Sequence, residues 1–280
     1  MIGHGYQPEA GQGAGRSTIV IVRRPAVAGS FYPAQPDRLR RQVVDLLADA
    51  GTALKITPKA LIAPHAGYIY SGSTAAAAFA TLPGSAQIFA RIVLIGPAHY
   101  VAIRGVAIPT ADAFETPLGR VPVDRTTLSK ITDLPFVSRN DAAHAPEHAL
   151  EVELPFLQTV LPSFTLLPLV VGDATAHEVA HVLARLWSGP ETLLVISSDL
   201  SHYHAYETAR GLDAATAGAI ENGDWAGFGP GQACGYLPIA GLLIEANRHK
   251  LKARRLSLCN SGDTAGSRHQ VVGYGAWMFD

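Results

Sequence analysis

Three short apolar runs constrain this chain more than any other feature of its sequence. Residues 60–63 (Ala-Leu-Ile-Ala), 91–95 (Arg-Ile-Val-Leu-Ile) and 193–197 (Leu-Leu-Val-Ile-Ser) show no alternation of polar and apolar positions. Such a run predicts a strand covered on both faces, the environment of a parallel sheet between helical layers. Segments with helical spacing separate these runs. Leu39, Val43, Leu46 and Leu47 predict a helix over 36–50, with Pro36 suited to its first turn. Further helices are predicted over 73–82 (capped by Ser71 or Ser73), 149–160 (kinked or divided at Pro155), 175–187, 206–221 and 237–248. Further strands are predicted over 105–109, 164–171, 254–259 and 271–279, and a loop or hairpin over 116–123, where Pro and Gly cluster. Strands alternating with helices predict an α/β fold: a three-layer α/β/α sandwich around a mostly parallel or mixed central sheet.

A chain of 280 residues, 48% of them hydrophobic, can bury a full core. One domain is expected over 19–280, after a glycine-rich, flexible extension over 1–18 that lacks the apolar stretch of a signal peptide. A formal net charge of -1 argues against a dedicated nucleic-acid binder. No apolar run reaches the roughly 18 residues of a membrane span. Two cysteines, Cys234 and Cys259, cannot build a disulfide framework, so a reducing cytoplasm is the expected setting.

The polar residues gather at the ends of the three apolar runs. The first enters Pro64-His65-Ala66-Gly67-Tyr68, the second Gly96-Pro97-Ala98-His99-Tyr100, the third Ser198-Asp199-Leu200-Ser201-His202. Ligands of open α/β sheets bind beyond the carboxyl ends of the strands, so three histidine-bearing loops there predict one shared crevice. Imidazoles converging in a partly dry pocket suit a transition-metal ion. Cys234 precedes an apolar helix and is flanked by Gly231 and Gly235, which would let the backbone approach something closely. A place at a helix N-terminus would also favour its thiolate. Glu147 and His148 stand at a helix entry, where Glu147 would complement the helix dipole and His148 could join the site. Cys259 has no such setting and is assigned to the core. Residues 260–264 predict a polar turn that could border a pocket and is read first as a surface turn.

His177-Glu178-Val179-Ala180-His181 matches the zinc-protease pattern H-E-x-x-H. The helix around it has its apolar stripe on Val179, Val182, Leu183 and Leu186, which turns both histidines towards solvent. A protease reading is therefore declined. Neither a phosphate-binding glycine loop nor a G-x-S-x-G nucleophile elbow occurs.

Taken together, Ala28-Gly29-Ser30-Phe31-Tyr32-Pro33, residues 64–72, Gly96-Pro97-Ala98-His99, Glu147-His148-Ala149-Leu150-Glu151, residues 197–202 and Cys234-Gly235-Tyr236 resemble the Memo family. In bacteria and archaea that family supplies the B component of the AmmeMemoRadiSam system. The resemblance runs from about residue 24 to the C-terminus. It implies a fold similar to that of class III extradiol dioxygenases, which hold non-haem Fe(II) with two histidines and a carboxylate. It also implies that His65 and His99 are metal ligands, that Cys234 stands where the dioxygenases have Glu, and that Asp199 and His202 border the site. A thiolate donor is softer and suits Cu(I), Zn or a redox-active iron.

The expected function is metal-dependent redox chemistry on a small molecule. One transition-metal ion, Fe(II) or copper before zinc, would be bound by His65, His99 and Cys234. His202, Asp199 and His148 would carry the proton chemistry, and Phe31, Tyr68, Tyr70 and Glu147 would shape the substrate pocket. Two alternatives use the same pocket: a zinc-type hydrolase, and a non-catalytic module binding a small ligand or peptide. Radical SAM and AMMECR-type proteins are the partners the resemblance implies.

Overall fold

The structure, a computed structural model, describes residues 20–51, 56–82 and 86–280. The extension expected over 1–18 lies outside them. In chain order the elements are β1 (Val22–Arg23), α1 (Pro36–Asp49), β2 (Ala60–Ala63), α2 (Tyr68–Phe79), β3 (Arg91–Pro97) and β4 (Val106–Ile108). The hairpin β5 (Ala113–Thr116) and β6 (Gly119–Pro122) follows, then the single turn α3 (Arg125–Leu128), β7 (Val137–Arg139) and the single turn α4 (Asp141–His144). The second half holds α5 (Leu154–Val160), β8 (Thr165–Val171), α6 (Ala176–Leu186), β9 (Thr192–Ser197) and β10 (His202–His204). It closes with α7 (Tyr206–Asn222), α8 (Tyr236–His249), β11 (Ala253–Asn260) and β12 (Val271–Phe279).

The main sheet has the order β10-β12-β2-β9-β3-β8-β4-β7, with β11 also paired to β12. Its middle four strands, β2, β9, β3 and β8, are mutually parallel. Antiparallel pairs flank them, β12 on β2 and β4 on β8. The sheet is mixed, and its parallel centre consists of the continuous apolar runs. Every residue of β2 and β9 is buried, as a strand between two helical layers must be. α1, α2 and α5 pack together on one face. On the other, α6 packs against α8, α8 lies over β3 and β9, and Asn247 of α8 reaches the Gly223 carbonyl at the end of α7 (2.9 Å). The fold is a three-layer α/β sandwich.

The register puts the three histidine loops side by side. β9 lies between β2 and β3, with Ala63 opposite Ser197 and Ile95 opposite Ile196. Three parallel neighbours end on one edge of the sheet, so their loops share one crevice.

Several details differ from the sequence expectation. α2 begins at Tyr68, with Gly67 at its N-cap and no side-chain cap. Ser71 lies inside the first turn, where its hydroxyl donates to the Ala66 carbonyl (3.0 Å). Of the two outcomes expected at Pro155, a kink or a division, the segment is divided: residues 151–153 form a 3-10 turn, and Pro155 sits in the first turn of α5, where its missing N–H is tolerated. A small sheet β1-β5-β6 has no counterpart in the sequence reading beyond its hairpin, because a two-residue strand shows no periodicity. Among the described residues, no helix is long and apolar enough to cross a membrane.

Candidate metal centre

His65 lies two residues past β2 and is 1% exposed. Its backbone N–H donates to Asp199 Oδ1 (2.8 Å), which locks its loop to that of β9. Its ring Nδ1 lies 2.7 Å from Ser197 Oγ. That oxygen is also 2.7 Å from the Ala149 carbonyl and 2.8 Å from Glu153 Oε1. Burial, reinforced by the charge of Asp199, raises the Glu153 carboxyl above the usual carboxylate range, against the lowering effect of the Ser197 hydroxyl. The Ser197 hydroxyl donates towards the Ala149 carbonyl and Glu153 Oε1, which leaves its oxygen to accept from His65 Nδ1–H. This network fixes the His65 tautomer and leaves Nε2 with its lone pair.

His99 is oriented by a carboxylate. Glu147, 2% exposed, accepts from His99 Nδ1 (2.8 Å), the His99 backbone N–H (2.7 Å) and the Ala149 N–H (2.9 Å). Burial acts to raise this carboxyl, but the hydrogen bonds from His99 outweigh it and hold it below the usual range. His148 stacks on His99, with ring centroids 4.6 Å apart and planes 24° from parallel. Its Nδ1 lies 3.2 Å from the Tyr100 hydroxyl and 3.5 Å from Glu147 Oε1. All three rings have Nδ1 engaged, and the Nε2 of His65 faces Cys234. Their ligating atoms lie within 4.8 Å of one another. Burial, helped by the other imidazoles, pushes His65 down to about 3 and lowers His148 as well. Both are neutral near pH 7, the form that binds metal.

Cys234 approaches from the start of α8. Its Sγ lies 3.4 Å from His65 Nε2 and 3.6 Å from the Asp199 carbonyl. Gly235 makes this approach possible: a Cβ there would stand 2.6 Å from Ser198 Cβ, and its N–H donates to Ser198 Oγ (2.9 Å). Burial, with the Asp199 charge adding to it, pushes the thiol up to about 12, against the thiolate expected from its helix-end position. Desolvation prevails there over the dipole.

Two cavities meet at these residues. One of about 570 Å³ is lined by His65, His99, His148, Asp199 and His202, with Phe31 and Tyr70 on its walls. Among the described residues no lysine or arginine lines it. The other, of about 520 Å³, is lined by His99 and Cys234. Two expected pocket residues lie elsewhere. Tyr68 is buried and donates to the Val152 carbonyl (2.7 Å), and Glu147 stands behind His99. Ser261 and Gly266 reach the larger cavity, so the turn after β11 borders the site. Tyr274, Gln270 and Tyr203 line it too and were absent from the sequence reading. They come from the β10 and β12 end of the sheet, where no motif marks them. Ser197 and Tyr100 adjoin quoted histidine motifs, and only their neighbours signalled them.

Arg23, Tyr32 and Glu151 form a buried hub behind the site. Glu151 accepts from Arg23, the Tyr32 hydroxyl and the backbone N–H groups of Ala26 (2.7 Å) and Val27 (3.0 Å). Arg23 also donates to the His144 and Glu147 carbonyls. The hub ties the segment carrying Phe31 to the segment carrying His148, and these rings lie 4.9 Å apart. The H-E-x-x-H histidines stay outside: His177 lies against Trp225 and His181 against Phe136, while Glu178 caps α6 with Thr175.

Strand-end imidazoles, each backed by an outer partner, define an α/β protein with a cleft able to hold a metal ion. A family profile described as Memo-like protein matches residues 23–278. A MEMO1 family protein of Aquifex aeolicus is 37% identical over 269 residues, covering 92% of this chain and 99% of that protein. MEMO1 family protein Mbar_A1422 of Methanosarcina barkeri is 36% identical over 271 residues, covering 91% and 98%. An uncharacterized protein from Escherichia coli K12 superposes with a TM-score of 0.49 at 14% identity, covering 77% of this chain and 98% of that one. The chain belongs to the Memo family.

Proposed function

We propose that this protein holds one transition-metal ion and performs redox chemistry on a small molecule in the larger cavity. His65 and His99 are the shared donors and Cys234 the third. The observation that carries this reading is the convergence of His65, His99 and His148, each with Nδ1 engaged by an outer partner and with ligating atoms within 4.8 Å of one another. The donor set fits an ion: neutral imidazoles, a thiol 3.4 Å from one of them and, among the described residues, no lysine or arginine on the wall. Imidazole and sulfur together favour Fe(II) or copper, with zinc admitted.

A bound iron or copper ion would supply an open coordination position and a redox couple, and zinc the open position alone. The chain supplies the rest. His202, half-buried on the cavity wall, takes or gives a proton at its imidazole, and Asp199 orients the loop beside it. Phe31 and Tyr70 line the cavity and give it apolar wall. The Cys234 thiol keeps its proton until an ion displaces it. A cytoplasmic setting and radical SAM or AMMECR-type partners accompany this reading.

Elemental analysis of untagged protein tests it. We expect close to one equivalent of iron, copper or zinc, with more than tenfold loss in His65→Ala and His99→Ala. Wild-type protein that takes up no Fe(II), Cu(I) or Zn(II) on titration overturns it.

A further inference from the structure

A third cavity lies beside the metal cleft and shares one wall with it. It measures about 560 Å³ and is lined by Arg38 and Gln42 of α1, by Ile69 of α2, and by Gly29 and residues 31–35 of the loop before α1. Phe31 borders both this cavity and the 570 Å³ one. Tyr32 anchors the loop through its hydroxyl on Glu151. Two groups on these walls have no use within the chain. Most arginines of this protein stand in ion pairs, from the buried Arg23–Glu151 pair to the exposed Arg254–Asp280 pair. Among the described residues Arg38 has none, nor have Arg40 and Arg41 beside it, although Asp37, Asp45 and Asp49 share the helix. Gln42 Oε1 is buried without a hydrogen-bond partner among the described residues. A buried acceptor left unsatisfied is costly, so the position calls for a donor from outside the chain. An apolar ridge separates the two cavities. Ile69, 66% exposed, borders the outer one, and Tyr70, 39% exposed, borders the metal cavity. No lysine or arginine among the described residues lines the metal cavity, so the anionic group of a substrate finds an arginine only across this ridge.

We propose that the outer cavity is the acid-binding subsite of the substrate, which is an organic acid with an apolar body and a hydroxyl on the carbon next to its carboxylate. The planar fork of Arg38 presents paired N–H groups to the carboxylate. The hydroxyl donates to Gln42 Oε1 and satisfies it. An ammonium there would meet the charges of Arg38 and of Arg41, which lines the adjoining groove with Gln42, so the donor is a neutral O–H. The apolar body lies over Phe31, Ile69 and Tyr70 and carries the other end of the molecule into the metal cavity. The inference rests on the metal-centre reading for what happens at that end, while the subsite itself is built from α1 and needs no ion.

The probe is 2-hydroxyoctanoate, titrated into the full chain as purified and again after metal removal. Octanoate lacks its hydroxyl and octane-1,2-diol its carboxylate. Calorimetry gives the affinities, and NMR follows the Ile69 methyl and Tyr70 ring signals. We expect the hydroxy acid to bind both forms about tenfold more tightly than the diol and about threefold more tightly than octanoate. Arg38→Gln should abolish the preference over the diol, and Gln42→Leu the preference over octanoate. Arg40→Gln, outside the cavity, should change each affinity less than about twofold, which separates the Arg38 fork from general positive charge. Unfolding curves establish that each variant is folded. Equal losses in Arg38→Gln and Arg40→Gln, a hydroxy acid bound no better than the diol, or a bound acid that shifts Ile69 but leaves Tyr70 unmoved overturns the proposal, and the metal centre stands if the protein still takes up its ion. Protein that binds the acid as expected but takes up no ion keeps the subsite and removes the metal reading.

Discussion

His65 shows how far a single residue depends on neighbours that carry no motif. Its place after an apolar run is readable in the chain, but its usefulness as a ligand is set by Ser197, Glu153 and the Ala149 carbonyl. These three come from two other segments, and nothing in the local sequence links them to position 65. We predict that Ser197→Ala weakens metal binding about 10–100-fold, the usual penalty for losing an outer partner. It also leaves Glu153 without its hydroxyl partner. Chelator competition on the folded variant measures the change, and an affinity equal to wild type would show that Ser197 does not orient the ring. Cys234 makes the opposite point. Glycine flanks and a helix start predict a thiolate, yet burial holds the thiol high, because desolvation depends on what surrounds the sulfur.

Among the elements, the parallel strands were legible because a run buried on both faces needs no alternation, and β2, β3, β8 and β9 fall within a residue or two of the expected spans. β1, β7, β10, α3 and α4, of two to four residues, were not, because they are too short for a periodic signal and lack the continuous apolar run that marked β2. α8 is placed by a close contact at its first turn, where Gly235 meets Ser198. We predict that Gly235→Ala destabilises the protein by about 1–3 kcal/mol, the range for forcing a methyl into packed structure, and draws Cys234 off its position. Urea unfolding together with Cu(I) affinity reads both effects, and a variant with wild-type values for each would show that the contact yields freely.

At the scale of the whole molecule, buried histidines make stability depend on pH. Burial pushes His65 down to about 3 and His144 to about 4, against roughly 6.5 in the unfolded chain. Below 6.5 the unfolded chain takes up protons that the folded one refuses, so this contribution is whole above pH 6.5 and is withdrawn as pH falls towards 4. Each histidine withdraws up to roughly 1.4 kcal/mol per pH unit. The raised carboxyl of Glu153 acts in the opposite sense, so we predict that the urea midpoint of metal-free protein falls more steeply from pH 7 to pH 5 in the wild type than in His144→Gln; equal slopes would contradict neutral burial of that ring. By itself the sequence determined the α/β class, the apolar centre of the sheet and the strand ends where His65, His99 and His202 lie, because burial patterns and chain order are local properties. The tertiary structure alone decided that β9 separates β2 from β3, that Glu147 backs two imidazoles, that Tyr68 points into the core, and that His148 closes on the other rings. Those facts depend on which segments meet, and contacts between residues far apart in the chain leave no periodic trace along it.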